Sequence, residues 1–132
     1  PPPGFHPWEP EQYYYGTVGP LFLKNLGDKV VFGFRCGEKH VNAARICHGG
    51  MLFTFADHTL GNMVWARFKD QPCATVTLNV DYLAGARTGD WIECTGNITR
   101  ETRSLIFIKG QLSIDGKTVM TASGVWKKLG AD

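Results

Sequence analysis

The chain has 132 residues, enough for one domain with a sizeable core and few for two. Hydrophobic residues make up 43% and charged residues 20%, with a formal net charge of +2, a near-balance that speaks against a nucleic-acid binder held by bulk electrostatics. No apolar run approaches the roughly 20 residues that cross a bilayer, so no membrane partner is expected.

The opening PPPGFHPWEPEQ has neither the basic start nor the apolar centre of a secretory signal. Cys36, Cys47, Cys73 and Cys94 lie far apart with no CxxC pair. They read as reduced thiols of a cytoplasmic protein rather than as a disulfide framework or a zinc site, and no metal is expected.

In chain order, residues 1–12 form a proline-rich arm with little structure of its own, and residues 13–132 one domain. Tyr13 to Asn25 reads as a first strand, irregular at Gly19 and Pro20. Gly27-Asp28 turns the chain into a second strand, Lys29–Cys36, with Val30, Phe32, Phe34 and Cys36 on one face. Glu38 to Cys47 is polar and irregular.

From His48 to about Lys69 runs one long helix, apolar around most of its circumference and therefore buried. Thr75–Leu83 follows as a strand, with Val76, Leu78, Val80 and Tyr82 on one face and Thr75, Thr77, Asn79 and Asp81 opposite. Trp91–Arg100 and Leu105–Ile114 come next, and the Asp115-Gly116 turn leads into Thr118–Lys128. Strands on both sides of a single helix predict an α+β domain, an antiparallel sheet of about five to six strands wrapped around one buried helix at about 48–69.

The chemistry concentrates between Asn42 and Asp57. The start of a helix leaves backbone N–H groups without intrahelical partners, and Gly49-Gly50 lets a carbonyl oxygen come close to them. Those amides, with the positive end of the helix dipole, form a plausible oxyanion site; the plain alternative is a glycine-containing helix cap. Asp57 sits inside a helix expected to be buried, where a carboxylate is costly unless paired or functional. It stands eight residues after Gly49, about 12 Å along a helix axis. One substrate carbonyl cannot touch both groups of one chain, so joint action requires a second subunit.

Asn42, then His48-Gly49-Gly50, then Asp57, with Thr75-Val-Thr-Leu-Asn79-Val-Asp-Tyr82 downstream, resembles the PaaI-like branch of the hotdog-fold thioesterases over roughly Gly19 to Lys127. The resemblance implies an acyl-CoA thioesterase acting on an aryl or short- to medium-chain acyl group, in a homodimer or a dimer of dimers (homotetramer). Coenzyme A enters as part of the substrate, and no other cofactor is implied.

Residue by residue, the resemblance makes Asp57 the nucleophile or general base and the Gly49 N–H the donor to the thioester carbonyl. Asn42 and His48 orient substrate or support the loop, and Thr75 helps position water. Arg100 and Arg103 meet the phosphates of coenzyme A. Relatives usually carry glycine three residues after the asparagine, where this chain has Arg45; a side chain there narrows the site or adds a phosphate contact.

Other readings compete. Cys47-His48 as nucleophile and base asks two adjacent residues to converge on one atom. His40, His48 and His58 lack tight metal-ligand spacing and suit capping or hydrogen bonding better. Trp65, Trp91 and Trp126 read as core or interface aromatics. Phe53, Phe55 and Leu60 line an acyl pocket or belong to the core. A non-catalytic acyl-CoA-binding or regulatory protein and a hotdog hydratase or dehydratase are the alternatives to hydrolysis.

Overall fold

The computed structural model describes residues 1–8, 13–69 and 71–130. Its strands are β1 (His6–Pro7), β2 (Phe22–Asn25), β3 (Val30–Arg35), β4 (Cys73–Tyr82), β5 (Trp91–Glu101), β6 (Leu105–Ile114) and β7 (Lys117–Lys128); its helices are α1 (Tyr14–Val18) and α2 (Gly49–Arg67). The strands form one antiparallel sheet in the order β1-β2-β3-β5-β6-β7-β4, and α2 packs against β4 through β7. This is the expected α+β architecture, with seven strands rather than five to six. The addition is the two-residue β1, in which the arm pairs His6 with Leu23 and Pro7 with Phe22.

The expected strand from Tyr13 to Asn25 is corrected. Its first part is α1, closed by the Gly16 N–H on Tyr13 O and the Gly19 N–H on Tyr15 O, and only Phe22–Asn25 is extended. The aromatic run Tyr13 to Tyr15 favours a strand locally, but packing of the Tyr15 ring on His58 decides its conformation. The 115–116 turn agrees with expectation: Asp115 and Gly116 both have positive φ, as a tight hairpin requires.

On α2, Leu52, Phe55, Ala56, Leu60 and Val64 are buried against the sheet. Full burial of such side chains stabilises by about 1.5–3 kcal/mol for each large one. The helix comes close because Gly96 and Gly110 face each other on β5 and β6; a Cβ at either would stand 2.6 Å from Leu60. Both faces of β3 are covered, since Phe32 and Phe34 point into the core while Trp91 fills the space beside Gly33. The expectation that α2 is buried nearly all round is corrected as well. Phe53 and Trp65 are exposed in the single chain, and Asp57 lies on the same half-covered side.

Candidate active site

The approach to α2 is a small closed unit. Asn42 accepts the Ala44 and Ile46 N–H groups on its Oδ1 at 2.9 and 3.2 Å, and its own N–H donates to Ile46 O. An asparagine that binds backbone two and four residues ahead folds the chain back on itself. The bridge between Val41 and Cys47 then closes the loop.

At the tip Arg45 has φ +63°, the left-handed region where glycine is at ease. Its guanidinium turns to Glu38 at 2.9 Å, with both side chains two-thirds exposed.

His48 caps the helix, its Nδ1 accepting the Gly50 N–H at 2.7 Å. Met51 and Leu52 donate to His48 O, while the Gly49 N–H has no acceptor among the described residues. Tyr82 reaches over from β4, its hydroxyl donating to Gly49 O at 2.8 Å. A Cβ at Gly49 would come within 3.3 Å of that ring, so glycine keeps the gap open.

Asp57 lies two turns along the same unbroken helix. Its Oδ1 accepts the Thr75 hydroxyl at 2.8 Å. Simple alternation along β4 places Thr75 on the face opposite Leu78 and Val80. A β-bulge corrects this: Thr75 pairs with Trp126 and Thr77 with Val125, so Val76 is the extra residue. One extra residue reverses the alternation and turns Thr75 toward the helix. The structure thus joins Asp57 to Thr75 and separates both from Asn42, His48 and Gly49.

A cavity of about 640 Å³ opens beside Asp57 and Thr75, walled by Trp8, Tyr15, His58, Trp65 and Trp126. Phe55 and Leu60 are core, and Phe53 does not line this cavity. Trp8 and Tyr15 escape sequence reasoning; the only signal is an aromatic cluster at the end of the arm. Burial pushes the His58 imidazole below its ordinary pKa, opposed by neighbouring Asp57. His58 stacks on Trp8 and Tyr15, with ring centroids 4.6 and 4.1 Å away.

Arg100, near the end of β5, and Arg103, in the β5–β6 turn, are exposed and do not line the Asp57 cavity, and the Lys128 N–H bond to Ser104 O places the end of β7 beside that turn. His40 is buried, accepting the Gly37 N–H and bonded to Val18 O, so the three histidines serve three separate places. Cys47 is 4% exposed, and burial pushes its thiol up to about 12, which removes it as a nucleophile near neutral pH. All four cysteines are free and buried. Among the described residues no helix is long and apolar enough to cross a membrane, and no three metal-ligating side chains cluster.

One long helix packed against an antiparallel sheet defines a hotdog-fold protein. The thioesterase superfamily model matches residues 44–121, and the chain belongs to that family. It is 34% identical to a Pseudomonas aeruginosa protein provisionally named an esterase, over 95% of each chain. Human acyl-coenzyme A thioesterase 13 is 25% identical, over 73% of this chain and 69% of that one. Among solved structures, a mutant of the phenylacetic acid degradation protein PaaI from Thermus thermophilus superposes with a TM-score of 0.79 at 20% identity. That match covers 88% of this chain and 98% of that one.

Proposed function

We propose that the protein is an acyl-CoA thioesterase that hydrolyses an aryl or short- to medium-chain acyl-CoA. Water adds across the acyl–sulfur bond, giving the free acid and the thiol of coenzyme A. The observation that carries the reading is Asp57, a carboxylate held by Thr75 at the mouth of an aromatic cavity in a chain of this family.

The Thr75 bond fixes Asp57 Oδ1 and directs Oδ2 to act, either on the carbonyl carbon itself or on a water it deprotonates. As the carbonyl oxygen gains charge it needs a donor aimed at it, and the free Gly49 N–H at a helix start is suited to that. His48 and Asn42 hold that N–H in place through the cap and the loop. Arg100 and Arg103 meet the phosphates of coenzyme A.

Asp57 and Gly49 are about 12 Å apart on one helix, so each site takes its N–H from a second subunit. A symmetric homodimer supplies this, and two such dimers make a tetramer. Two features support the pairing. β4 ends the sheet with ten residues on an open edge, which invites a second chain. Phe53, Trp65 and Val76 leave apolar surface exposed on that side.

A panel of aryl-, short- and medium-chain acyl-CoAs, assayed for release of free thiol, tests the function. Release with turnover is expected. Binding without release would instead indicate a regulatory acyl-CoA binder. Consumption of an enoyl-CoA without release would indicate a hydratase.

A further inference from the structure

We propose that Trp8 and Tyr15 form the end wall of the acyl pocket beside Asp57, limiting the substrate to a compact, preferably aromatic acyl group. The inference rests on the thioesterase reading above and adds a specificity determinant, supplied by the N-terminal arm and α1.

The arm is tied down where the wall stands. β1 pairs with β2, and the Trp8 N–H donates to Leu21 O at 2.9 Å. The Trp8 indole lies 4.7 Å from Phe32 and 4.6 Å from His58, between core and helix. Tyr15, presented by α1, stacks on His58 at 4.1 Å and lies 12° from parallel with Trp8, their centroids 5.8 Å apart. Three rings thus stand together as a panel.

Two cavities meet at this panel. Asp57 lines the 640 Å³ space; the second, of about 240 Å³, is bounded also by Pro7, Gly16, Pro20, Leu21 and Lys39. Trp8 and Tyr15 line both, so on this proposal they are the partition between the two spaces. A straight chain entering past Asp57 meets ring faces instead of continuing into the smaller cavity. A planar aromatic acyl group can stop against them with its ring edge-on or offset, the arrangements aromatic pairs favour.

His58 supports this use of the panel, because burial pushes its imidazole below its ordinary pKa and so favours the neutral ring. A neutral stacked ring presents an apolar face to the acyl group.

The test compares native protein with Trp8→Ala, Trp8→Phe and Tyr15→Ala, measuring kcat/KM for benzoyl-CoA and dodecanoyl-CoA. Trp8→Ala is expected to shift the ratio at least tenfold toward dodecanoyl-CoA by joining the two cavities. Tyr15→Ala shifts it in the same direction, and Trp8→Phe by less, because a ring remains on Phe32. Equal changes for both substrates, or an unchanged ratio, would overturn the wall.

Binding keeps the test independent of turnover and of a variant that folds poorly. Dissociation constants for the benzyl and dodecyl thioethers of coenzyme A should favour the benzyl compound in the native protein, and Tyr15→Ala should shift that preference toward the dodecyl one. A native protein with no preference for the benzyl compound, or no shift in Tyr15→Ala, would overturn the inference. The expected binding shift without any thiol release would instead sink the thioesterase reading and leave the wall standing.

Discussion

The start of α2 and its middle are built in opposite ways. The side chains that shape the start lie mostly within Val41 to Gly50: an asparagine folding a loop, a histidine capping a helix, and a glycine leaving one N–H free, braced from outside by the Tyr82 hydroxyl, Ala86 O and His40 O. Around Asp57 the surroundings come from the arm, α1, α2, β4 and β7, brought together only by the completed fold. The first is a donor made by local backbone geometry. The second is a carboxylate and a pocket made by tertiary packing. Substitutions at the start should therefore act through the shape of one loop, whereas those around Asp57 should separate chemistry from substrate choice.

The largest effect is expected from Asp57→Asn, which keeps size and hydrogen bonding and removes the charge. Turnover should fall by about 10²-fold or more, in line with general-base contributions, with fold and assembly unchanged by circular dichroism and sedimentation. Near-native turnover would remove Asp57 from the chemistry.

Thr75→Val is expected to cost about tenfold in kcat, or about 1.4 kcal/mol, through loss of the hydrogen bond that orients the carboxylate. If kcat held and KM alone rose, Thr75 would serve binding instead.

Replacing both Arg100 and Arg103 with Ala should raise KM several-fold with little change in kcat, and should weaken its salt dependence. An unchanged KM would put the phosphate site elsewhere on the surface.

The smallest effect belongs to the helix start. Arg45→Gly should raise stability by about 0.5–1 kcal/mol, because glycine adopts φ +63° without strain. The exposed pair with Glu38 offsets little of that gain. A measured loss on denaturant unfolding would show that the pair holds the loop.

The same contrast governs what the sequence makes legible. The loop fold at Asn42 and the cap at His48 can be read because their side-chain partners lie within a few residues. The hairpin at Asp115-Gly116 and the helix at 49–67 can be read because turn chemistry and apolar content are local. Thr75 falls on the wrong face of a simple alternation because the bulge at Val76 leaves no mark in the pattern. Trp8 and Tyr15 stay hidden because their partner His58 is more than forty residues away in sequence, and nothing in a proline-rich arm announces where it will dock.

In the proposed mechanism one site needs the carboxylate of one subunit and the helix start of another. Mixing Asp57→Asn protein with Gly49→Pro protein, which lacks the donor N–H, tests it most directly once each is shown to fold and to exchange subunits. Heterodimers contain one intact Asp57 facing one intact Gly49. A statistical mixture should therefore recover about a quarter of native activity per total site, since half the dimers are mixed and each has one working site of two. If verified heterodimers stay as inactive as either parent, the shared site is contradicted, even with thioester hydrolysis by the native protein established.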